Sequence, residues 1–240
     1  MVAPVLPSFG SPLPLKISEI FESLQGEGVS TGAPCVFVRL AQCNLHCTWC
    51  DTKYTWDFEH YRYEDEVRER SAAEVAQIVN DSLSRRLVLT GGEPLLQQRA
   101  LREFWSHLGD GVTVEVETNG TILPDAAALA RVNQWNVSPK LKNAGDPEHF
   151  RIRPDVLGAL RESGRAYLKL VVVEEPDYAE ADALVARLAW PLDRVILMPE
   201  ASSREQLRAR ALAVAEAARA RSFRFSSRLH LELWGGRRGT

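Results

Sequence analysis

Much of what this 240-residue sequence says lies in what it lacks. It has no excess of charge: 29 Lys and Arg against 32 Asp and Glu leave −3, too little for a field that holds nucleic acid or an anionic membrane without specific contacts. No uncharged apolar run approaches the ~20 residues that a bilayer span needs. The apolar start, Met1 to Pro14, is broken by Pro4, Pro7, Pro12 and Pro14 and carries no charged segment ahead of it, so no secretory leader is expected. Repeats, low-complexity tracts and Gly/Ser linkers are missing, which favours a single domain over 1–240 with a flexible extension at 1–14. A 45% hydrophobic, 25% charged composition excludes collagen-like, coiled-coil and disordered classes. Cysteine is scarce as well, and all four fall within sixteen residues, at Cys35, Cys43, Cys47 and Cys50. A cytosolic location is expected, where cysteines packed this closely bind metal more often than they form disulfides.

What is there alternates between strand and helix patterns. Lys16–Ser23, Cys35–Leu40, Arg86–Thr90, Val112–Glu117, Trp135–Val137, Leu168–Val173, Arg194–Met198 and Phe223–Ser226 read as strands. In Val112–Glu117 the valines at 112, 114 and 116 face one way, and Thr113, Glu115 and Glu117 the other. Between the strands, Ser71 and Glu74 form a capping box for a helix with Val75, Ile78 and Val79 on its apolar face. Further helices are expected at Leu95–Leu108, Asp125–Val132, Ala179–Leu188 and Ser203–Arg221. Such alternation predicts an α/β fold of βα units around a parallel sheet, forming a barrel or part of one. The polar, aromatic stretch 55–70 reads as an excursion from that core, either a lid or a solvated loop.

Cys43, Cys47 and Cys50 form C-x3-C-x2-C directly after a strand. Three thiolates on one loop suit a [4Fe–4S] cluster with one iron left open, whereas an electron-transfer cluster takes four. A structural Cys3His zinc site using His46 is the competing reading. Cys35, eight residues upstream of Cys43, reads as a buried free thiol. Downstream, Thr90-Gly91-Gly92-Glu93-Pro94 sits where a strand gives way to a helix. Read by itself, it is a tight turn with Pro at the helix start.

Together these two motifs resemble the radical S-adenosylmethionine superfamily. Its open iron chelates S-adenosylmethionine, and one-electron reduction releases methionine and a 5′-deoxyadenosyl radical. Leu24-Gln25-Gly26-Glu27-Gly28, Glu117-Thr118-Asn119-Gly120, Ser138-Pro139-Lys140 and the run around CNLHCTWCDT narrow the resemblance to the 7-carboxy-7-deazaguanine synthase family, from about Leu15 to Met198. The ending LHLELWGGRRGT is also similar to some members. The resemblance implies a partial, modified TIM-type βα barrel. It implies ring contraction of 6-carboxy-5,6,7,8-tetrahydropterin to 7-carboxy-7-deazaguanine and ammonia, assisted by Mg2+, in queuosine biosynthesis. A homodimer, reduced by a flavodoxin or ferredoxin, is implied as well; a nucleic-acid or membrane partner is not. A glycyl-radical-enzyme activase shares the cysteine spacing and stands as the alternative enzyme.

Residue by residue, the resemblance implies cluster ligands at Cys43, Cys47 and Cys50 and a magnesium ligand at Thr52. Cofactor contacts fall on Trp49, Cys50, Asp51, Gly92, Glu93, Ser138, Pro139 and Lys140, and on Met198, Pro199, Glu200 and Ala201. In GGEP, backbone and Glu93 together would hold the methionine ammonium, for which a carboxylate is a suitable acceptor. Substrate contacts fall on Leu24, Gln25, Gly26, Arg39 and Thr90. Arg39 lies in an apolar strand and needs an anionic partner: the pterin carboxylate, or an internal pair with Glu115 or Glu117. Glu27 is open between turn chemistry and a substrate contact. Lys169, on the face shared with Val171 and Val173, reads as a lumen ion pair or a catalytic group. Arg237 and Arg238 read as a solvated tail, and the six tryptophans as packing.

Overall fold

The computed structural model describes residues 13–240, so residues 1–12 of the expected N-terminal extension lie outside it. One sheet of nine strands organises the described residues: β1 (Leu15–Leu24), β2 (Pro34–Leu40), β3 (Arg68–Arg70), β4 (Arg86–Gly91), β5 (Thr113–Thr118), β6 (Gln134–Val137), β7 (Ala166–Val172), β8 (Val195–Pro199) and β9 (Arg224–Phe225). Their order is β3-β1-β2-β4-β5-β6-β7-β8-β9. β1 runs antiparallel to both β2 and β3, and from β2 onward every neighbour is parallel. Two free edges, β3 and β9, make this an open partial barrel. The stretch 55–70 therefore ends in the sheet, with Arg68–Arg70 supplying the outermost strand.

Among the described residues the helices are α1 (Tyr63–Glu66), α2 (Ala72–Asp81), α3 (Gln98–His107), α4 (Ala126–Arg131), α5 (Glu148–Arg151), α6 (Pro154–Glu162), α7 (Glu175–Leu188), α8 (Arg204–Ala220) and α9 (Leu229–Trp234). The Ser71–Glu74 capping box is present at the start of α2. Ile78 corrects the expected apolar face: it is exposed, and Ala72 and Ala76 join Val75 and Val79 on the buried side. The helix expected from Leu95 opens instead as a 3-10 turn, Pro94–Gln97, before α3 begins. None of the helices is long and apolar enough to cross a membrane.

The period of two along each strand divides the sheet into two chemistries. The outer face carries Val36, Val38 and Leu40, Leu87 and Leu89, Val114 and Val116, Leu168 and Leu170, all buried in the main core. Each such side chain contributes about 1.5–3 kcal/mol by leaving water. The inner face carries Cys35, Phe37, Arg39, Val88, Thr90, Glu115, Glu117, Asn136, Lys169 and Met198, the intervening residues of those strands.

β1 changes allegiance midway. Ile17 pairs with Leu40 but Glu19 with Arg39, so Ser18 is an extra residue on β1. A one-residue bulge exchanges the two faces of a strand. Leu15 and Ile17 thus pack in the outer core, whereas Glu19 and Phe21, of the same parity, line the cavity on the inner side.

Candidate active site

Parallel strands place their C-terminal ends on one rim, which is where the loops of βα folds collect functional groups. A cavity of about 390 Å³ opens there. The cysteine loop follows β2, the GGEP turn β4, Thr118-Asn119 ends β5, Ser138–Lys140 follows β6, and Glu200-Ala201 follows β8.

The cysteine loop is clamped from two sides. Gly91, at φ +140, and Gly92 lie so close to the β2 exit that a Cβ would fall 2.1 Å from the Leu40 carbonyl oxygen and 2.0 Å from that of Gln42, respectively. Here only glycine fits. Gly92 N–H donates to Leu40 O at 3.1 Å and Glu93 N–H to Gln42 O at 2.9 Å. From the other side, Thr48 N–H donates to Ala144 O at 2.9 Å and His46 N–H to the Asp146 carboxylate at 3.2 Å.

Cys43, Cys47 and Cys50 all line the cavity as free thiols, backed by Leu45, Ala144 and Trp49. Burial pushes the Cys43 thiol up to about 12 and raises Cys47 too, so their thiolates need a compensating metal charge. Among the described residues no three Cys, His, Asp or Glu side chains enclose a single metal ion. An iron–sulfur cube spreads its thiolates over three irons, so this donor set fits it. His46 does not suit the zinc alternative: it is exposed, stacks on Trp56 at 4.8 Å and does not line the cavity. Cys35 is a buried free thiol beside Phe37 and Val88.

Around the cysteines, Trp49, Asp51, Thr52, Gly92, Ser138, Lys140, Met198, Glu200 and Ala201 line the cavity. Trp49 is oriented by its indole N–H, which donates to Asn143 Oδ1 at 3.1 Å. Lys140 Nζ donates to Ser138 O and Oγ, both at 3.0 Å, and lies 5.7 Å from the Trp49 ring centre. Glu200 is paired with Arg210. Three residues expected as contacts do not line the cavity. The carboxylate of Glu93 is fully buried and absent from the cavity wall, because it accepts from Leu95 N–H, Thr118 Oγ1 and Asn119 N–H at 3.0, 2.9 and 2.7 Å. It ties the GGEP turn to the end of β5, while burial pushes its pKa up. Pro139 and Pro199 likewise do not line the cavity.

Leu24, Gln25, Gly26, Arg39 and Thr90 all line the other end. Arg39 does have an internal partner, but it is Glu19 at 2.9 Å, not Glu115 or Glu117. Only Nε is engaged; the two terminal guanidinium nitrogens have no hydrogen-bond partner among the described residues. Glu19 also accepts from Tyr54 Oη at 2.8 Å and Arg238 Nε at 3.1 Å. Arg238 is consequently no solvated tail: it reaches Glu66 at 2.8 Å and lies 3.6 Å above the Tyr54 ring.

Deeper in the lumen, Glu115 is fully buried and accepts from Gln25 at 2.7 Å, Ser30 and Asn136 at 2.5 Å, and Arg86 at 3.2 Å. Burial pushes its pKa up despite these donors. Gln25 Oε1 accepts from Glu27 N–H at 3.2 Å, so its amide is held at both ends. Gly26 leaves room for His230, whose Nδ1 a Cβ would meet at 2.4 Å. Thr90 Oγ1 donates to Glu117 at 2.7 Å. Lys169 pairs with Glu27 and lies 4.0 Å from Glu117. Arg228 pairs with Glu27 at 3.0 Å and also with Asp51. Although burial opposes it, these two cations hold Glu27 well below the usual carboxylate range. Burial and the neighbouring Arg228 similarly oppose one another at Asp51, and Arg228 prevails, lowering its pKa.

Glu19, Tyr54, Arg228 and His230 escaped the sequence reading. Glu19 is hidden by the bulge, and the others sit in a turn or in the C-terminal segment, with no period to mark them.

This geometry has close counterparts. A family described as a 4Fe-4S single cluster domain matches residues 24–128. A 7-carboxy-7-deazaguanine synthase from Pyrobaculum aerophilum is 39% identical, covering 94% of this chain and 97% of its own length. One from Halobacterium salinarum is 37% identical, with 92% and 90% covered. The crystal structure of QueE from Escherichia coli is similar at a TM-score of 0.68 and 26% identity, covering 90% of this chain and 95% of that one. Streptococcus suis SuiB bound to S-adenosylmethionine shares the fold, at a TM-score of 0.52 and 13% identity, over 77% of this chain and 48% of its own. The chain belongs to the 7-carboxy-7-deazaguanine synthase family, radical S-adenosylmethionine lyases that carry a [4Fe–4S] cluster.

Proposed function

We propose that this chain converts 6-carboxy-5,6,7,8-tetrahydropterin to 7-carboxy-7-deazaguanine and ammonia. One observation carries the reading: a single cavity joins three free thiols on the β2 loop to an Arg39 guanidinium with its terminal nitrogens unpaired. Cys43, Cys47 and Cys50 hold the cluster, and Trp49, Asp51, Gly92, Ser138, Lys140, Met198, Glu200 and Ala201 surround S-adenosylmethionine. When bound, the cluster and S-adenosylmethionine would supply the one-electron chemistry needed for hydrogen abstraction at C6 of the substrate. The chain's own residues bind, orient and shield. Arg39 receives the pterin carboxylate on its open fork, a charge-assisted bidentate pair. Glu117, partly exposed in the lumen, suits the donor edge of the pterin ring. Leu24, Gln25, Gly26 and Thr90 complete that wall, with Gln25 and Thr90 also fixing Glu117 and Glu115. Glu93 acts behind the wall by fixing the GGEP turn.

Thr52 contributes a hydroxyl to Mg2+. One hydroxyl cannot make an octahedral site, so substrate oxygens and water would have to supply the remaining ligands. A single-domain cytoplasmic homodimer reduced by a flavodoxin or ferredoxin completes the reading. The test is anaerobic: reconstitution with iron and sulfide, then reductant, S-adenosylmethionine, Mg2+ and substrate. Mass-spectrometric appearance of 7-carboxy-7-deazaguanine is expected, and its absence from fully reconstituted protein overturns the assignment.

A further inference from the structure

We propose that Trp56 sets the reduction potential of the cluster, through an indole N–H···S hydrogen bond to Cys50. This rests on the reading that Cys43, Cys47 and Cys50 are the cluster ligands. Trp56 Nε1 lies 3.3 Å from Cys50 Sγ. Among the described residues, neither Cys43 nor Cys47 has a side-chain hydrogen-bond donor on its sulfur, so the ligand set is asymmetric.

Space filling does not explain the contact. The indole nitrogens of Trp105, Trp135 and Trp190 are buried in the fold with no hydrogen-bond partner among the described residues. Trp56, by contrast, is held in register with the cysteine loop at every point. Its backbone N–H donates to Lys53 O at 3.0 Å, closing the short turn that follows Thr52. Thr55, immediately before it, is fully buried; its carbonyl accepts from Gln42 N–H at 2.7 Å and its hydroxyl donates to Thr52 O at 2.8 Å. Gln42 and Thr52 flank the motif on either side, so the turn carrying Trp56 is tied to both ends of the ligand loop. His46, from within the loop, stacks on the indole at 4.8 Å with the planes 20° apart.

Hydrogen bonds to ligand sulfur are one of the means by which a protein moves an iron–sulfur potential. Reduction adds one electron to the cluster, taken from a one-electron protein donor that is oxidised in turn. The added charge is shared with the sulfurs, so an N–H donor stabilises the reduced form more than the oxidised one and raises the potential. Trp56 thus makes the cluster easier to reduce, and does so at the ligand next to Asp51 and Thr52.

The test is a redox titration of the anaerobically reconstituted protein, followed by electron paramagnetic resonance. Trp56→Phe keeps a ring against His46 but has no N–H. Its iron and sulfide content should match the parent chain, while its ratio of reduced to oxidised cluster at a fixed potential falls about tenfold, a shift of ~59 mV to more negative values for one electron. A fully loaded Trp56→Phe protein with the parent midpoint overturns the proposal. Should that variant lose its cluster, the parent chain labelled with 15N-indole tryptophan decides: the reduced cluster should show coupling to an indole 15N and to an exchangeable proton, and a spectrum without either rejects the hydrogen bond. Failure of the parent chain itself to hold an iron–sulfur cluster would instead refute the ligand reading on which the proposal rests.

Discussion

The two faces of the same strands obey different rules. On the outer face, β2, β4 and β5 present Val36, Val38, Leu40, Leu87, Leu89, Val114 and Val116 to the helices, and all are buried in one apolar core. One residue along in each strand, Arg39, Thr90, Glu115 and Glu117 face the lumen, and each is hydrogen-bonded or ion-paired. The outer face is held by area removed from water, which is non-directional and tolerant of shape. The inner face is held by named partners, where losing one leaves a buried charge or dipole exposed to its cost. The difference teaches that stability and chemistry are separable in this fold by the parity of a residue within its strand.

That separation can be broken, and the largest break is expected on the rim. Cys47→Ala should abolish iron uptake and all turnover, whereas Cys35→Ala, buried between Phe37 and Val88, should leave both intact; iron and sulfide analysis reads each. Outer-face truncation should cost stability without chemistry. Leu89→Ala is expected to lose about 4 kcal/mol in denaturant unfolding, with substrate affinity of the folded protein unchanged.

Glu27→Gln tests the inner face. It leaves Lys169 with only Glu117, at 4.0 Å, and Arg228 with only Asp51 as anionic partners, so about 3 kcal/mol should be lost at neutral pH. The sign with pH is fixed by the lowered pKa of Glu27. The stability it brings is complete above its unfolded value of about 4.3 and disappears as pH falls through the lower folded value. The melting temperatures of parent and variant should therefore converge below about pH 4; a gap that widens in acid contradicts the ion-pair account. The smallest effects belong to the exposed start and solvent side of α2, whose other side packs into the outer core. Ser71→Ala should cost about 1 kcal/mol through its capping box, and Ile78→Ala, exposed, less than about 0.5 kcal/mol.

The same division explains what could be read in advance. Outer-face strands follow a period of two, and the helix start at Ser71 has its own side-chain chemistry, so both are legible one segment at a time. Cys43, Cys47, Cys50 and Gly91-Gly92 are legible for a second reason: a sharp loop and a close backbone approach demand particular residue types. Ile78 is misread because a neighbour in the sequence pattern need not be a neighbour in the packing. Glu19 is hidden by the extra residue at Ser18, which no local pattern announces. Arg228 and Arg238 are invisible for a different reason, since their partners Glu27, Asp51 and Glu19 lie almost the whole chain away. Helix α6 did carry usable signals, Pro154 at its first position and Asp155 in its first turn, although Gly158 weakens its pattern.

The central claim is that the lumen reads a carboxylated pterin through Arg39. Its most direct test compares anaerobic dissociation constants for 6-carboxytetrahydropterin and for tetrahydropterin lacking the carboxylate, in the parent chain and in Arg39→Gln. Glu19 keeps Tyr54 and Arg238 in that variant, so the site persists. A charge-assisted fork of about 3 kcal/mol predicts a ~100-fold preference for the carboxylated ligand in the parent chain, and none in the variant. An Arg39→Gln protein that keeps the parent's preference would contradict the account.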